Sequence, residues 1–424
     1  MFLTVEQAVN WITSQRNQEI GFSSFQRYLN ENTNHLNGLN MIHVAGTNGK
    51  GSTVAMLASC LMEAGYNVGT FTSPHLYEHE DRIRLNGKQI PAEDFLRIVN
   101  THKEIWEPYH LSMFEMDLDV ASIWMKEQNA DVVIVEAGLG GRLDSTNVIE
   151  TPLASVIVSI GLDHMERLGD TEEKIAFEKA GIIKNNGLVI CGEKKENCAE
   201  VIRNQAEMKQ ADFFLTETAE LLSTNPLRFV YKNHQYEISS LASYQVHNAC
   251  VAIETLHQCR HKGMLNISDE QIAQGIKKAH WAGRFDVLSS NPLTIVDGAH
   301  NAHGIQALKE SARQLKRPLT VVFACLKDKD KEEMIRTLND FADELILTQF
   351  DFYRAMPVDH FHSLDALTKV KDWKQAIEMA QSKKEGTVLI TGSLYFISEV
   401  MTYFKNQKTC DHSADCQSIS CCKD

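Results

Sequence analysis

Short apolar stretches alternate with segments of helical periodicity along most of the chain, the pattern of a largely parallel sheet covered by helices. The alternation occurs twice. In the first part it predicts strands at 40–45, 67–71, 131–136, 154–161 and 188–191, with helices at 50–64, 92–106, 114–127 and 171–183. In the second it predicts strands at 293–297, 319–325, 344–348 and 388–391, separated by helices at 302–315, 331–341 and 373–381. Gly283, Ser289, Ser290, Asn291 and Pro292 interrupt the periodicity, so the boundary is expected between 281 and 291. The expected organisation is one α/β domain over 1–285, a smaller α/β domain over 286–405 and a tail over 406–424. At the N-terminus, Val5, Val9 and Ile12 fall at helical spacing.

Length agrees with this division, because 424 residues exceed what one hydrophobic core usually organises. With 43% hydrophobic and 23% charged residues and 8 prolines, the composition is that of an ordinary folded protein. The formal net charge of -14 argues against wrapping a nucleic-acid backbone, since that needs lysine and arginine concentrated on one surface. No apolar run approaches the roughly 20 residues of a membrane helix. The N-terminal helical pattern has neither the basic region nor the cleavage site of a secretory signal. A cytoplasmic protein with no nucleic-acid or membrane partner is expected, and a monomer. Six of the 10 cysteines, Cys60, Cys250 and Cys325 among them, lie in apolar or helical contexts and read as reduced core thiols. Cys410, Cys416, Cys421 and Cys422 crowd the last residues beside His412. By ligand type they could hold zinc, but their spacing matches no zinc pattern, and a mobile tail is expected.

The segment Gly46-Thr47-Asn48-Gly49-Lys50-Gly51-Ser52-Thr53 follows a predicted strand and opens a predicted helix. Backbone N–H groups and a helix N-terminus converge there on anionic oxygens, Lys50 supplies a charge for the outer phosphates, and Ser52 or Thr53 can ligate magnesium. The spacing departs from the usual phosphate-loop rule: an extra glycine, Gly51, follows the lysine. The plainer alternative is a glycine-rich turn with an exposed lysine. The apolar strand at 131–136 ends in Glu136, a candidate metal ligand beside such a loop, or else a strand-end carboxylate facing water. The following strand leads to Asp163 and His164, and a lone histidine is more often structural than a ligand. In open parallel sheets, however, ligands collect at the carboxyl ends of strands, so Lys50, Glu136 and His164 reinforce one another.

A family resemblance rests on several segments in order: Gly46 to Ser52, Ser73-Pro74-His75-Leu76, Val135 to Asp144, Asp163-His164, Glu178-Lys179-Ala180-Gly181-Ile182 and Asp297-Gly298-Ala299-His300-Asn301. This series resembles that of the folylpolyglutamate synthases and dihydrofolate synthases of the Mur ligase superfamily. Asp328-Lys329-Asp330 and Gly392-Ser393-Leu394 resemble the same family's C-terminal domain. The resemblance implies a Mur-ligase-type, P-loop-containing central domain and a smaller Rossmann-like C-terminal domain. It implies that Gly46, Thr47, Asn48, Gly49, Lys50, Gly51, Ser52 and Thr53 bind ATP. It further implies that Asn248, Arg284, Asp297 and His300 contact the nucleotide, and that Ser73, Glu136 and His164, with Ser52, hold Mg2+. Lys179 matches a lysine that the family carbamylates. Ala137 and Ala302 depart from the family's commoner valine and proline without removing a reactive group. The stretch around Gly21, Gln26 and Arg27 matches the family's pterin-side segment only loosely.

The implied activity is ATP-dependent joining of L-glutamate to a reduced folate, and also to dihydropteroate. A carboxylate is inert toward an amine until it is activated, and transfer of the γ-phosphoryl group makes an acyl phosphate that the amine can attack. Lys50, Lys179, His164 and Arg284 are the residues expected to serve this chemistry. The alternatives are another Mur-type amino-acid ligase, or a P-loop nucleotide-binding protein without ligase chemistry. The second leaves the Asp297 to Asn301 motif without a reason.

Overall fold

The computed structural model describes residues 1–15, 22–361, 367–383 and 385–417, with side chains as far as Gln407. It divides the chain into two compact units, Met1–Ser239 with Gln245–Trp281, and Ser240–Tyr244 with Ala282–Asp424. Arg284, which the expected boundary assigned to the first domain, therefore belongs to the second unit, as does the excursion Ser240–Tyr244.

The first unit is built on strands β1 (Met41–Ala45), β2 (Val68–Phe71), β3 (Ile83–Leu85), β4 (Lys88–Gln89), β5 (Val132–Glu136), β6 (Ala154–Ile157), β7 (Leu188–Cys191) and β8 (Asp212–Leu215). They form one sheet in the order β4-β3-β2-β5-β1-β6-β7-β8. β2, β5, β1, β6, β7 and β8 run parallel, and β3 and β4 add an antiparallel edge. Period-two alternation divides each central strand between two cores. Ile42, Val44, Val132 and Ile134 face the helices Lys50–Glu63, Gln245–His261 and Asp269–Lys278. Met41, Val133 and Val135 face the cluster that holds Trp106 and Trp124. The run past Ile157 that was expected to continue the strand to 161 is loop: Val158 N still bonds Ala45 O, but Ser159 and Gly161 beyond it bond Thr47 of the phosphate loop.

Three further strands, β9 (Glu220–Thr224), β10 (Leu227–Tyr231) and β11 (His234–Ile238), form an antiparallel sheet that the sequence reading did not include. Leu227, Phe229 and Tyr231 bury alternate positions against the first core. Near the N-terminus, helix Ser23–Glu31 is pinned by a buried carboxylate. Asp119 accepts from Tyr28 Oη at 2.6 Å and from Trp106 Nε1 at 2.8 Å. Gln26 bonds Asn30, and Arg27 lies over the Tyr109 ring; Gly21 falls outside the described residues.

The second unit holds β12 (Asp286–Ser290), β13 (Leu293–Asp297), β14 (Leu319–Phe323), β15 (Glu344–Gln349), β16 (Thr368–Asp372) and β17 (Thr387–Thr391), ordered β12-β13-β17-β14-β15-β16. All neighbours are parallel except the β12–β13 hairpin. Ile295 and Val296 point to opposite cores, as a doubly covered parallel strand requires. The last helix runs Leu394–Gln417, past the expected domain end at 405. Its start is held by Phe396, Ile397, Val400, Met401 and Phe404, whose helical spacing puts them all in one core. The side chains of Cys410, His412 and Cys416, and all of Cys421 and Cys422, lie outside the described residues, and with them the zinc reading. The six remaining cysteines, Cys60, Cys191, Cys198, Cys250, Cys259 and Cys325, are buried free thiols. Among the described residues, no helix is long and apolar enough to cross a membrane.

Candidate functional site

The order of four adjacent strands builds the site. From β1 the chain passes through helix Lys50–Glu63 to β2, returns through β5 beside β1, and then crosses to β6 on the other side of β1. The strand order thus reverses at β1, and all four strands are parallel, so their carboxyl ends share one edge. Along that edge lie Ser73 after β2, Glu136 ending β5, the Gly46–Thr53 loop after β1, and Asp163 and His164 after β6. Loops so separated in sequence meet because the parallel sheet requires it.

Gly49 caps helix Lys50–Glu63 with φ +82, a left-handed conformation. A Cβ at Gly49 would overlap Asn248 Oδ1, from helix Gln245–His261. Here glycine serves both the turn and the close approach. Gly49→Ala is therefore expected to cost roughly 1–2 kcal/mol of stability from the backbone alone and to weaken nucleotide binding; thermal unfolding and nucleotide titration check the two effects. The loop is tied to the β6 side by Thr47 N to Ser159 O at 2.7 Å and Asn48 N to Ser159 Oγ at 3.2 Å. The indole of Trp281 packs against Gly51.

Two lysines converge on one carbonyl. Lys50 Nζ donates to Gly46 O at 3.1 Å and Lys179 Nζ to the same oxygen at 3.0 Å. Lys50 also lies 3.7 Å from Oε1 of the buried Glu136, whose Oε2 accepts from Ser73 N at 3.4 Å. Lys179 is only 3% exposed. Burial, aided by the charge of Lys50, pushes its amine down to about 7, against the pull of Asp163 and Asp144. Its helix, Glu172–Ala180, is fastened to the loop after β5. Arg142 N donates to Glu178 O at 2.7 Å, and the Arg142 guanidinium pairs with the Glu178 carboxylate at 2.9 Å. His164 has φ +50 and heads a short helix, with its backbone N–H bonded to Asp163.

The residues fit a divalent cation bound together with phosphate oxygens. Among the described residues, no group of three or more His, Cys, Asp or Glu side chains could hold a metal by itself. A magnesium site completed by hydroxyls and phosphate needs no such cluster. Ser52 Oγ is buried and accepts from Gln245 Nε2 at 3.2 Å, and the neighbouring Thr53 Oγ1 is buried without a hydrogen-bond partner. Gln245 also accepts from Asn248 at 2.9 Å, joining that residue to the phosphate loop.

Arg284, Asp297 and His300 form a separate group within the second unit. Asp297 is buried at the end of β13, where Ala299 N, Phe285 N and Tyr244 Oη bond its two oxygens. His300 Nδ1 lies 2.8 Å from Gly298 O.

Sequence reasoning missed several members. Asp144 is buried, and burial raises its carboxyl against the hydrogen bonds that favour its charge. It accepts from Leu139 N at 2.6 Å and from Thr146 Oγ1 at 2.5 Å, and so shapes the loop after β5. Gln245, Trp281 and Tyr244 are others. Asp144 stands inside a motif already singled out and Gln245 lies three residues before Asn248, whereas nothing local marks Trp281 or Tyr244.

Comparison with known proteins accords with this geometry. Residues 44–256 match the Mur ligase middle domain, and residues 283–394 match the Mur ligase, glutamate ligase domain. The dihydrofolate synthase/folylpolyglutamate synthase of Bacillus subtilis is 39% identical over 391 residues, 86% of this chain and 90% of that protein. Escherichia coli FolC in complex with DHPP and ADP superposes with a TM-score of 0.84 at 27% identity, covering 96% of this chain and 98% of that one. A bifunctional folylpolyglutamate synthase/dihydrofolate synthase with Mn, AMPPNP and L-glutamate bound gives a TM-score of 0.84 at 28% identity, covering 95% and 98%.

Proposed function

The chain belongs to the dihydrofolate synthase/folylpolyglutamate synthase family of Mur ligases, and from that premise we propose that it joins L-glutamate to reduced folates and to dihydropteroate at the expense of ATP. The observation that carries this reading is the contiguous parallel set β2, β5, β1 and β6, which lines Ser73, Glu136, Lys50 and His164 along one sheet edge.

The substrate carboxylate attacks the γ-phosphorus of ATP, the bond to the β-phosphate oxygen breaks, and ADP leaves behind an acyl phosphate. The amine of glutamate then adds to the acyl carbon, phosphate departs and the nitrogen loses a proton. Backbone N–H groups of the Gly46–Thr53 loop and the N-terminus of helix Lys50–Glu63 hold the phosphates. Lys50 exchanges its contacts to Gly46, Thr47 and Glu136 for the transferring group. Arg284 stabilises charge on the same group, while Asn248, Asp297 and His300 serve the nucleotide. Ser52, Ser73, Glu136 and His164 would hold a divalent cation, which supplies Lewis-acid neutralisation of phosphate oxygens.

Lys179 is proposed to carry a carbamate. Its low pKa leaves a large share of neutral amine near neutral pH. The lone pair of the neutral amine forms a bond to the carbon of CO2, one C=O π bond opens onto oxygen, the nitrogen releases one proton, and the neutral amine becomes an anionic carbamate beside the metal ligands.

Product mass spectrometry tests the substrate assignment, with dihydropteroate and tetrahydrofolate supplied separately with glutamate and ATP. Both are expected to gain glutamate with stoichiometric phosphate release. Gain by tetrahydrofolate alone would remove the dihydrofolate synthase half, and gain by neither would end the folate reading.

A further inference from the structure

The second unit contains a strained residue next to a proposed phosphate-stabilising arginine. Phe285 is buried and has φ +55, a left-handed conformation that a bulky side chain rarely adopts and that often marks a functional constraint. Its backbone N–H donates to Asp297 Oδ2 at 3.0 Å. The same oxygen accepts from Tyr244 Oη at 2.5 Å, and Asp297 Oδ1 accepts from Ala299 N at 2.9 Å. Arg284, the residue before Phe285, lays its Nη1 on the bare face of Gly298, where a Cβ would overlap both Nη1 and Leu394 Cδ2. Gly298 N in turn donates to Gly283 O at 2.9 Å. The segment that carries Tyr244 is itself anchored, through Ser243 N to Ser311 Oγ at 3.1 Å on helix Ala302–Ala312.

We propose that Tyr244 is a positioning residue for Arg284: through Asp297 it holds Phe285 in its left-handed conformation and thereby seats the guanidinium in the slot left by Gly298. Burial and the neighbouring Asp297 charge hold the Tyr244 phenol well above its ordinary range, so it remains a donor. Without that hydroxyl the Asp297 oxygen loses one of its two donors, and the Phe285 turn can relax toward an ordinary backbone conformation that re-aims the preceding side chain. The proposal rests on the reading that Arg284 stabilises charge on the transferring phosphoryl group.

Steady-state kinetics on the full-length protein, with ATP varied, test it. Tyr244→Phe is expected to lower kcat by about tenfold or more while KM for ATP changes little, and the unfolding midpoint should fall by a few degrees, as loss of one buried hydrogen bond to a charged group requires. Gly298→Ala should reproduce the defect by filling the slot. Neither should lower kcat further in an Arg284→Ala background, because both act through that arginine. Wild-type kcat in Tyr244→Phe, or a loss that adds to that of Arg284→Ala, overturns the positioning role while leaving Arg284 itself intact. A silent Arg284→Ala removes the reading of Arg284 and this proposal with it. Should Tyr244→Phe fail to fold, Gly298→Ala is compared with Arg284→Ala in the same way, since it blocks the slot without touching Asp297, and a Gly298→Ala loss that adds to that of Arg284→Ala overturns the proposal.

Discussion

Replacing Lys50 with alanine is expected to lower ATP-dependent ligation by about 10² to 10³-fold, the usual effect of removing one preorganised charge from a transition state. The fold should survive. Lys50 is partly exposed; its Nζ bonds Gly46 O at 3.1 Å and Thr47 O at 3.4 Å within its own loop, and its contact across to Glu136 at the end of β5 is an ion pair at 3.7 Å. Its loss leaves the apolar packing of the core in place. The unfolding midpoint should therefore move by only a few degrees, while phosphate release in the presence of folate and glutamate nearly stops. A folded variant that ligates at the normal rate would remove Lys50 from the mechanism.

Lys179→Met should be equally damaging to turnover, yet it should make the protein more stable below neutral pH. In the folded protein the Lys179 amine is pushed down to about 7, whereas an unfolded lysine titrates near 10.4. Between these values the unfolded chain holds more protons, so stability gained from this residue rises with pH from about 7 to about 10.4. Below about 7 the buried cation is a full penalty, and methionine removes it. Carbamylation predicts a further dependence that a plain amine would not show. Depleting CO2 from the buffer should lower wild-type activity, bicarbonate should restore it, and neither treatment should alter the residual rate of Lys179→Met. Intact activity in Lys179→Met excludes a catalytic part for the residue. A dead variant beside a CO2-insensitive wild type leaves the lysine essential but unmodified.

How much of this was readable in the chain depends on whether the signal was local. The central strands were legible because parallel strands buried on both faces are continuous apolar runs, and Val132–Glu136 and Leu319–Phe323 are buried throughout. The phosphate loop was legible because a strand, glycines and a helix start follow one another directly. The three-stranded sheet was not, since its burial is one-sided and β9 is almost entirely exposed. The burial of Lys179 was hidden for another reason. In helix Glu172–Ala180 the lysine is an ordinary last-turn residue, and only its bond to Gly46, 133 residues away, sets it apart. Tyr244 escaped notice similarly, because its partner Asp297 lies 53 residues ahead. The roles of Ser73, Arg284 and Lys179 came from resemblance to a family; no pattern of polarity would have produced them.

The indole that rests on Gly51 gives the molecule an intrinsic optical reporter. Of the five tryptophans, Trp11, Trp106 and Trp124 belong to the cluster behind the sheet, and Trp373 to a core of the second unit. Trp281 alone packs on the phosphate loop, partly exposed, with Nε1 2.8 Å from the position a Cβ on Gly51 would take. Charge arriving at that loop changes the electric field at the one tryptophan that packs on it. The emission of the unlabelled chain is thereby coupled to occupancy of its phosphate loop, and nucleotide arrival can be timed apart from the chemistry that follows.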